Sequence, residues 1–150
     1  MDAGDPFALR PAGAGTYHIH ATCVAIDGKA LLIAGPSGSG KSSLAIEMLA
    51  LGAELVADDI TELSHTTGII ARAPATLPRA IEARGLGLLP LSLLPQARVV
   101  AALDMSRCAA ARLPPMQTIP LLGQTLPLLH RPASGPLAAA LMLYVKGAEL

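Results

Sequence analysis

The chain has 150 residues, with 11 basic and 11 acidic side chains and a formal net charge of zero. Apolar residues make up 52% of it and charged residues only 15%, and there are two Tyr, one Phe and no Trp. That balance excludes a disordered tail, which lacks the apolar content. It also disfavours a nucleic-acid partner, which calls for basic patches interleaved with aromatics.

One domain is the expectation at this length. Cys23 and Cys108 lie far apart without metal-ligand spacing, which reads as two small buried hydrophobes in a reducing compartment. A membrane span needs ~20 unbroken apolar residues; the longest run, Leu137 to Val145, has nine. The acidic start MDAGDPFALR lacks a basic-then-apolar leader pattern. The expectation is a cytoplasmic protein with no membrane contact. Its many Ala and Leu and few charges point to a homo-oligomer.

Along the chain, residues 1–15 read as a flexible N-terminal arm and 16–150 as the domain. Two β-prone runs flank Asp27-Gly28, a strong hairpin signal. The segment GPSGSGKS (35–42) follows the second run at once. After it, SSLAIEMLAL places Leu44, Met48 and Leu51 at helical spacing, with Gly52 set to end the helix. ELVAD (54–58) reads as a buried strand closing on Asp58 and Asp59. Further strands are predicted at 60–64 and 69–73 around a His65–Gly68 turn, and at 97–104. Five prolines between Leu113 and Pro132 predict short extended pieces and turns. Pro136 is placed as the first helical residue of a helix running to Gly147. The pattern as a whole predicts an α/β fold: a mixed sheet with few helices around one strand–loop–helix unit.

GPSGSGKS fits the phosphate-binding pattern G-x-x-x-x-G-K-[ST]. Gly35, Gly38 and Gly40 let the backbone turn its N–H groups inward. Pro36, Ser37, Ser39 and Ser43 complete the candidate nucleotide contacts. The loop opens a helix, whose free amides and dipole attract an anion. Lys41 can reach the β- and γ-phosphates, and the Ser42 hydroxyl can ligate Mg²⁺. Asp58 and Asp59, one strand later, offer hard oxygen ligands for the same metal and a proton acceptor.

His20, separated by fourteen residues from the loop, then GPSGSGKS, then VADD (56–59), then EARGLG (82–87) follow one another in an order that resembles the catalytic domain of HPr kinase/phosphorylase. The resemblance covers residues 16 to 113. It implies an HPr kinase C-terminal domain-like fold, related to phosphoenolpyruvate carboxykinase-type P-loop folds. It also implies an ATP- and Mg²⁺-dependent kinase acting on a serine of HPr or an HPr-like phosphocarrier protein, with a reverse phosphorylase reaction at the same site. Asp58 would be the base and His20 the partner that tunes it. Asp59, Ser42 and Glu82 would serve the metal, Arg84 the transferred phosphate, and Arg112 a late step. The resemblance is to the family's catalytic domain alone, so the expectation is a short form without the usual N-terminal domain, similar to short proteobacterial forms. Two other functions fit the loop alone: a small-metabolite kinase, and an ATP-sensing module without catalysis.

Overall fold

Asp27 and Gly28 form the two-residue turn that their sequence predicts. Both take positive φ (53° and 76°), matching the twist of the strands they join. Strand β3 (Ala21–Ile26) thus returns as β4 (Lys29–Ala34), with Ile26 opposite Lys29. The computed structural model describes residues 4–109 and 114–149. The remaining elements are β1 (Leu9–Gly13) and β2 (Thr16–Ile19) before that hairpin. After it come α1 (Lys41–Ala50), β5 (Glu54–Ala57), β6 (Thr61–His65), β7 (Ile69–Arg72), β8 (Ala80–Ala83) and β9 (Gly87–Pro90). The last are β10 (Ala97–Cys108), β11 (Gln117–Leu121), β12 (Gln124–Arg131) and α2 (Leu137–Gly147).

Ten strands form one curled mixed sheet, ordered β1-β2-β6-β7-β10-β4-β3-β5, with β12 on β10 and β11 outermost on β12. β8 and β9 make a separate hairpin. Strand β10 is central. One edge pairs in parallel with β4, while the other is shared by β7 at Ala97–Arg98 and β12 from Ala102 onward.

Strands β3 and β4 are buried on both faces, which is why they read as unbroken apolar runs rather than as an alternation. Val24, Ile26, Leu31 and Ile33 pack on one face against Leu44 and Met48 of α1 and Leu141 and Val145 of α2. Cys23, Ala25, Ala30 and Leu32 pack on the other against Val56, Leu63 and Ile69, where the sheet curls over itself. Two small faces of one sheet suffice for a core built of Ala and Leu.

Several expectations need correction. Part of the supposed arm is a strand: β1 pairs antiparallel with β2, and Phe7 is buried. Leu51 lies beyond α1 and is 54% exposed. The helix closes there because the amides of Gly52 and Ala53 bond back to Leu49 and Met48 O, with Gly52 at φ 109°. The proline-rich segment holds a regular hairpin, β11–β12, turning at Leu122-Gly123. Pro136 is the N-cap of α2, one position before the predicted place. At the other end, Lys29 Nζ donates to Lys146 O and Ala148 O, a cation on the carbonyl-rich end of α2. Cys23 is buried, which pushes its thiol pKa up, but Cys108 is exposed. No helix among the described residues is long and apolar enough to cross a membrane.

The β8–β9 hairpin is joined to the body through Ile81, fully buried in the cluster with α1. Ile81→Ala should therefore cost about 2–5 kcal/mol of stability. Urea titration checks this as a lower midpoint at unchanged slope.

Candidate active site

The loop between β4 and α1 is built on glycine. Gly35, Gly38 and Gly40 have φ of 150°, 82° and 95°, which disfavour any side chain. At Gly35 space is tight as well: a Cβ would lie 2.8 Å from Ser39 Oγ and 3.1 Å from Met105 Cβ, so both neighbours would have to shift. Ser39 N bonds Pro36 O, which closes the turn. Gly40 caps α1 without a side-chain acceptor, and no acid stands in the first turn. The opening amides are thus left to an anionic ligand.

Lys41, although charged, is buried. Its Nζ donates to Gly35 O at 2.8 Å and Pro36 O at 3.2 Å, drawing the loop around it. Burial lowers its pKa, and the charges of Asp59 and Asp58 partly oppose that.

The two acids after β5 point to different partners. Asp58 Oδ1 accepts from Ser42 Oγ at 2.8 Å and from Thr22 Oγ1 at 3.0 Å. Asp59 takes a left-handed backbone, φ 68°, and its amide donates to Thr22 Oγ1. This turns its carboxylate outward, where Oδ1 meets His20 Nε2 at 2.8 Å. Both of those side chains are about half exposed or more, at 48% for His20 and 66% for Asp59. The pairing is the reverse of the expected one: Ser42 joins Asp58 rather than Asp59, and His20 joins Asp59 rather than Asp58.

A cleft of about 460 Å³ opens on this pair. Lys41, Ser42, Asp58 and Asp59 line it, with Ser37, Gly38 and Ser43 along the loop. Glu82 of β8 and Arg84, in the turn after it, form the facing wall. His20, Gly35 and Pro36 border a neighbouring cavity of about 390 Å³ that also holds Arg10 and His18. Arg112 lies outside the described residues.

Two residues escaped the sequence reading. Thr22 is a fully buried hydroxyl in an otherwise apolar strand, and a polar residue in such a run is a visible signal. Asp104 ends the apolar run VVAAL on β10, the same pattern as LVADD, and sits level with Ala34 beneath the loop. Its Oδ1 accepts from Ser106 N at 2.8 Å and Ser106 Oγ at 2.6 Å, and His130 Nε2 lies 3.9 Å from Oδ2.

Residues 13–101 match the family model described as HPr Serine kinase C-terminal domain. The chain belongs to that family. It is 45% identical over 78 residues to the HPr kinase/phosphorylase of Bordetella pertussis, covering 51% of this chain and 25% of that protein. It is 45% identical over 73 residues to the HPr kinase/phosphorylase of Azoarcus sp., covering 47% and 23%. The match therefore spans about a quarter of the length of these curated relatives. Among solved structures, the HPr(Ser) kinase/phosphatase from Coxiella burnetii superposes with a TM-score of 0.72 at 22% identity, covering 86% of this chain and 93% of that one. This likeness establishes the mixed α/β fold with its curled sheet and two helices.

Because Lys41 is held below the usual lysine pKa, it loses its proton at a lower pH than a free lysine would. Binding of inorganic tripolyphosphate should weaken as pH rises through that lowered value. In Lys41→Arg the alkaline fall should vanish, since a guanidinium stays charged throughout. Calorimetric titration between neutral and alkaline pH checks both.

Proposed function

We propose that this chain is an ATP- and Mg²⁺-dependent kinase that phosphorylates a serine of HPr or an HPr-like phosphocarrier protein. The carrying observation is that one cleft gathers the loop lysine, the loop serine, two carboxylates and the Glu82/Arg84 wall. Support for the acceptor comes from the relatives' printed names and the shared family. The second half of those names, phosphorylase, supports the reverse reaction, in which an oxygen of inorganic phosphate bonds to the phosphoserine phosphorus, the bond from phosphorus to serine Oγ breaks, and pyrophosphate and free serine are the products.

Phosphoryl transfer needs mainly positioning and neutralisation of charge. The loop amides and Lys41 hold the β- and γ-phosphates. Arg84 faces the transferred group. The acceptor serine Oγ bonds to the γ-phosphorus, the bond to the bridging β–γ oxygen breaks, and ADP leaves with that electron pair. The serine proton goes to a carboxylate.

Ser42 Oγ and Asp58 Oδ1, 2.8 Å apart, are an oxygen donor set that fits magnesium, with Glu82 across the cleft. Among the described residues no cluster of three or more His, Cys, Asp or Glu could hold a metal unaided. When bound, the ion supplies neutralisation of phosphate charge.

The hydrogen bonds favour a division of labour opposite to the one the family resemblance implies. Asp58, gathered by Ser42 and Thr22, takes the metal side. Asp59, exposed and backed by His20, takes the serine proton, and returns it in the reverse reaction. We also infer self-association, supported by the chain's low share of charged residues, 15%, and its zero net charge.

Labelled ATP, Mg²⁺ and a purified HPr-type carrier should give phosphoserine; no transfer would contradict the function. Asp59→Asn should lower kcat by about 10²–10⁴-fold with ATP affinity kept. Asp58→Asn should instead raise the magnesium concentration needed for half-maximal rate. The opposite outcome for the two variants would return the base role to Asp58.

A further inference from the structure

Between β5 and β6 the chain reverses within three residues. The amide of Ile60 donates to the carbonyl of Asp58 at 2.8 Å, and Asp59 between them stands at φ 68°. A bond across three residues with a positive φ at the centre is the rare and strained kind of tight turn. Asp59 is not a glycine, so the conformation is unfavourable by itself and persists only where the surroundings impose it.

Two threonines impose it, both fully buried. Thr22 on β3 accepts from the amide of Asp59 at 3.3 Å and donates to Asp58 Oδ1 at 3.0 Å. Thr61, the first residue of β6, donates to Ala21 O at 2.9 Å and pins the far end of the turn beside the same point of β3. A threonine hydroxyl has one hydrogen to give and lone pairs to receive. Thr22 uses both functions, one toward each acid, whereas Thr61 touches neither acid. Strand β3 reads ATCVAI and is buried throughout, where a hydroxyl is costly unless it is bonded. A valine would fill the same space and hold neither acid.

The two bonds of Thr22 differ in consequence. The one to Asp58 Oδ1 is duplicated, because Ser42 Oγ donates to the same oxygen at 2.8 Å. The one from the Asp59 amide has no second acceptor among the described residues. Thr22 is therefore redundant for Asp58 and decisive for Asp59, the acid whose carboxylate meets His20 Nε2 at 2.8 Å.

We propose that Thr22 is the positioning residue that selects Asp59 over Asp58 as the proton acceptor, by holding the strained turn that separates the two carboxylates. This rests on the kinase reading and on the base role of Asp59. Without the hydroxyl the turn relaxes, the Asp59 carboxylate leaves His20, and neither acid is held for the acceptor serine.

The test uses the full chain with ATP, Mg²⁺ and a purified HPr-type carrier. Thr22→Val should lower kcat by about 10- to 100-fold, the scale of a misplaced catalytic group, with the magnesium requirement unchanged. Unchanged binding of inorganic tripolyphosphate shows that the variant is folded. Should it not fold, Thr22→Ala, with its smaller side chain, carries the same prediction. Thr22→Ser keeps both bonds and should restore the natural rate. Thr61→Val removes a buried hydroxyl of the same kind without touching an acid, and should leave kcat unchanged. A crystal structure of Thr22→Val gives a readout independent of the reaction: Asp59 should leave the positive-φ region and its contact with His20 should open. Thr22 loses this role if that structure keeps Asp59 in place, or if Thr22→Val transfers at the natural rate. It also loses the role if raised magnesium restores the variant, which would mean action through Asp58, or if Thr61→Val falls as far as Thr22→Val. Failure of the natural chain to transfer phosphate would overturn the kinase reading instead, while the crystal structure still decides whether Thr22 holds the turn.

Discussion

Everything at the site hangs on one carboxylate oxygen. Asp58 Oδ1 accepts from Ser42 at the start of α1 and from Thr22 on β3, and so ties the phosphate loop's exit to the sheet. Thr22 then accepts from the amide of Asp59, which fixes the left-handed turn that swings the second acid away. A single two-donor knot sets the loop's exit, separates two adjacent carboxylates and gives them different neighbours. Without it, Asp58 and Asp59 would be two like charges on a strand end with nothing to distinguish them.

The sheet exists to hold that knot. β4 and β10 run parallel in the middle, and the loop leaves β4 where β10 presents Asp104, Met105 and Ser106 beneath it. Met105 comes so close to Gly35 that a Cβ there would crowd it, at 3.1 Å from Met105 Cβ. The loop's glycines thus answer two demands, backbone conformation and a rigid floor. The curled second half of the sheet covers the opposite face of β3 and β4, which lets a chain almost without aromatics bury both sides of its central strands.

What could be read from the sequence was local. Asp27-Gly28 specifies its own turn, the glycines of the loop their own φ angles, and Gly52 its own helix end. Pairings between distant residues could not be read. Nothing in VADD says which acid faces α1, because that depends on the Thr22 hydroxyl 36 residues earlier. β1 was invisible because its partner, not its Gly- and Pro-rich composition, makes it a strand. Leu122 hid a hairpin because it holds a left-handed turn position, φ 48°, that bulky residues seldom take.

The central claim is that loop, knot and facing wall are one phosphoryl-transfer site. A crystal structure with Mg²⁺ and a non-hydrolysable ATP analogue tests it most directly. The account predicts phosphates along Gly35–Ser43, the metal on Ser42 and Asp58, and the terminal phosphoryl facing Asp59 and Arg84. Phosphates bound elsewhere, or a metal held by Asp59 with Asp58 turned to the acceptor, would contradict it.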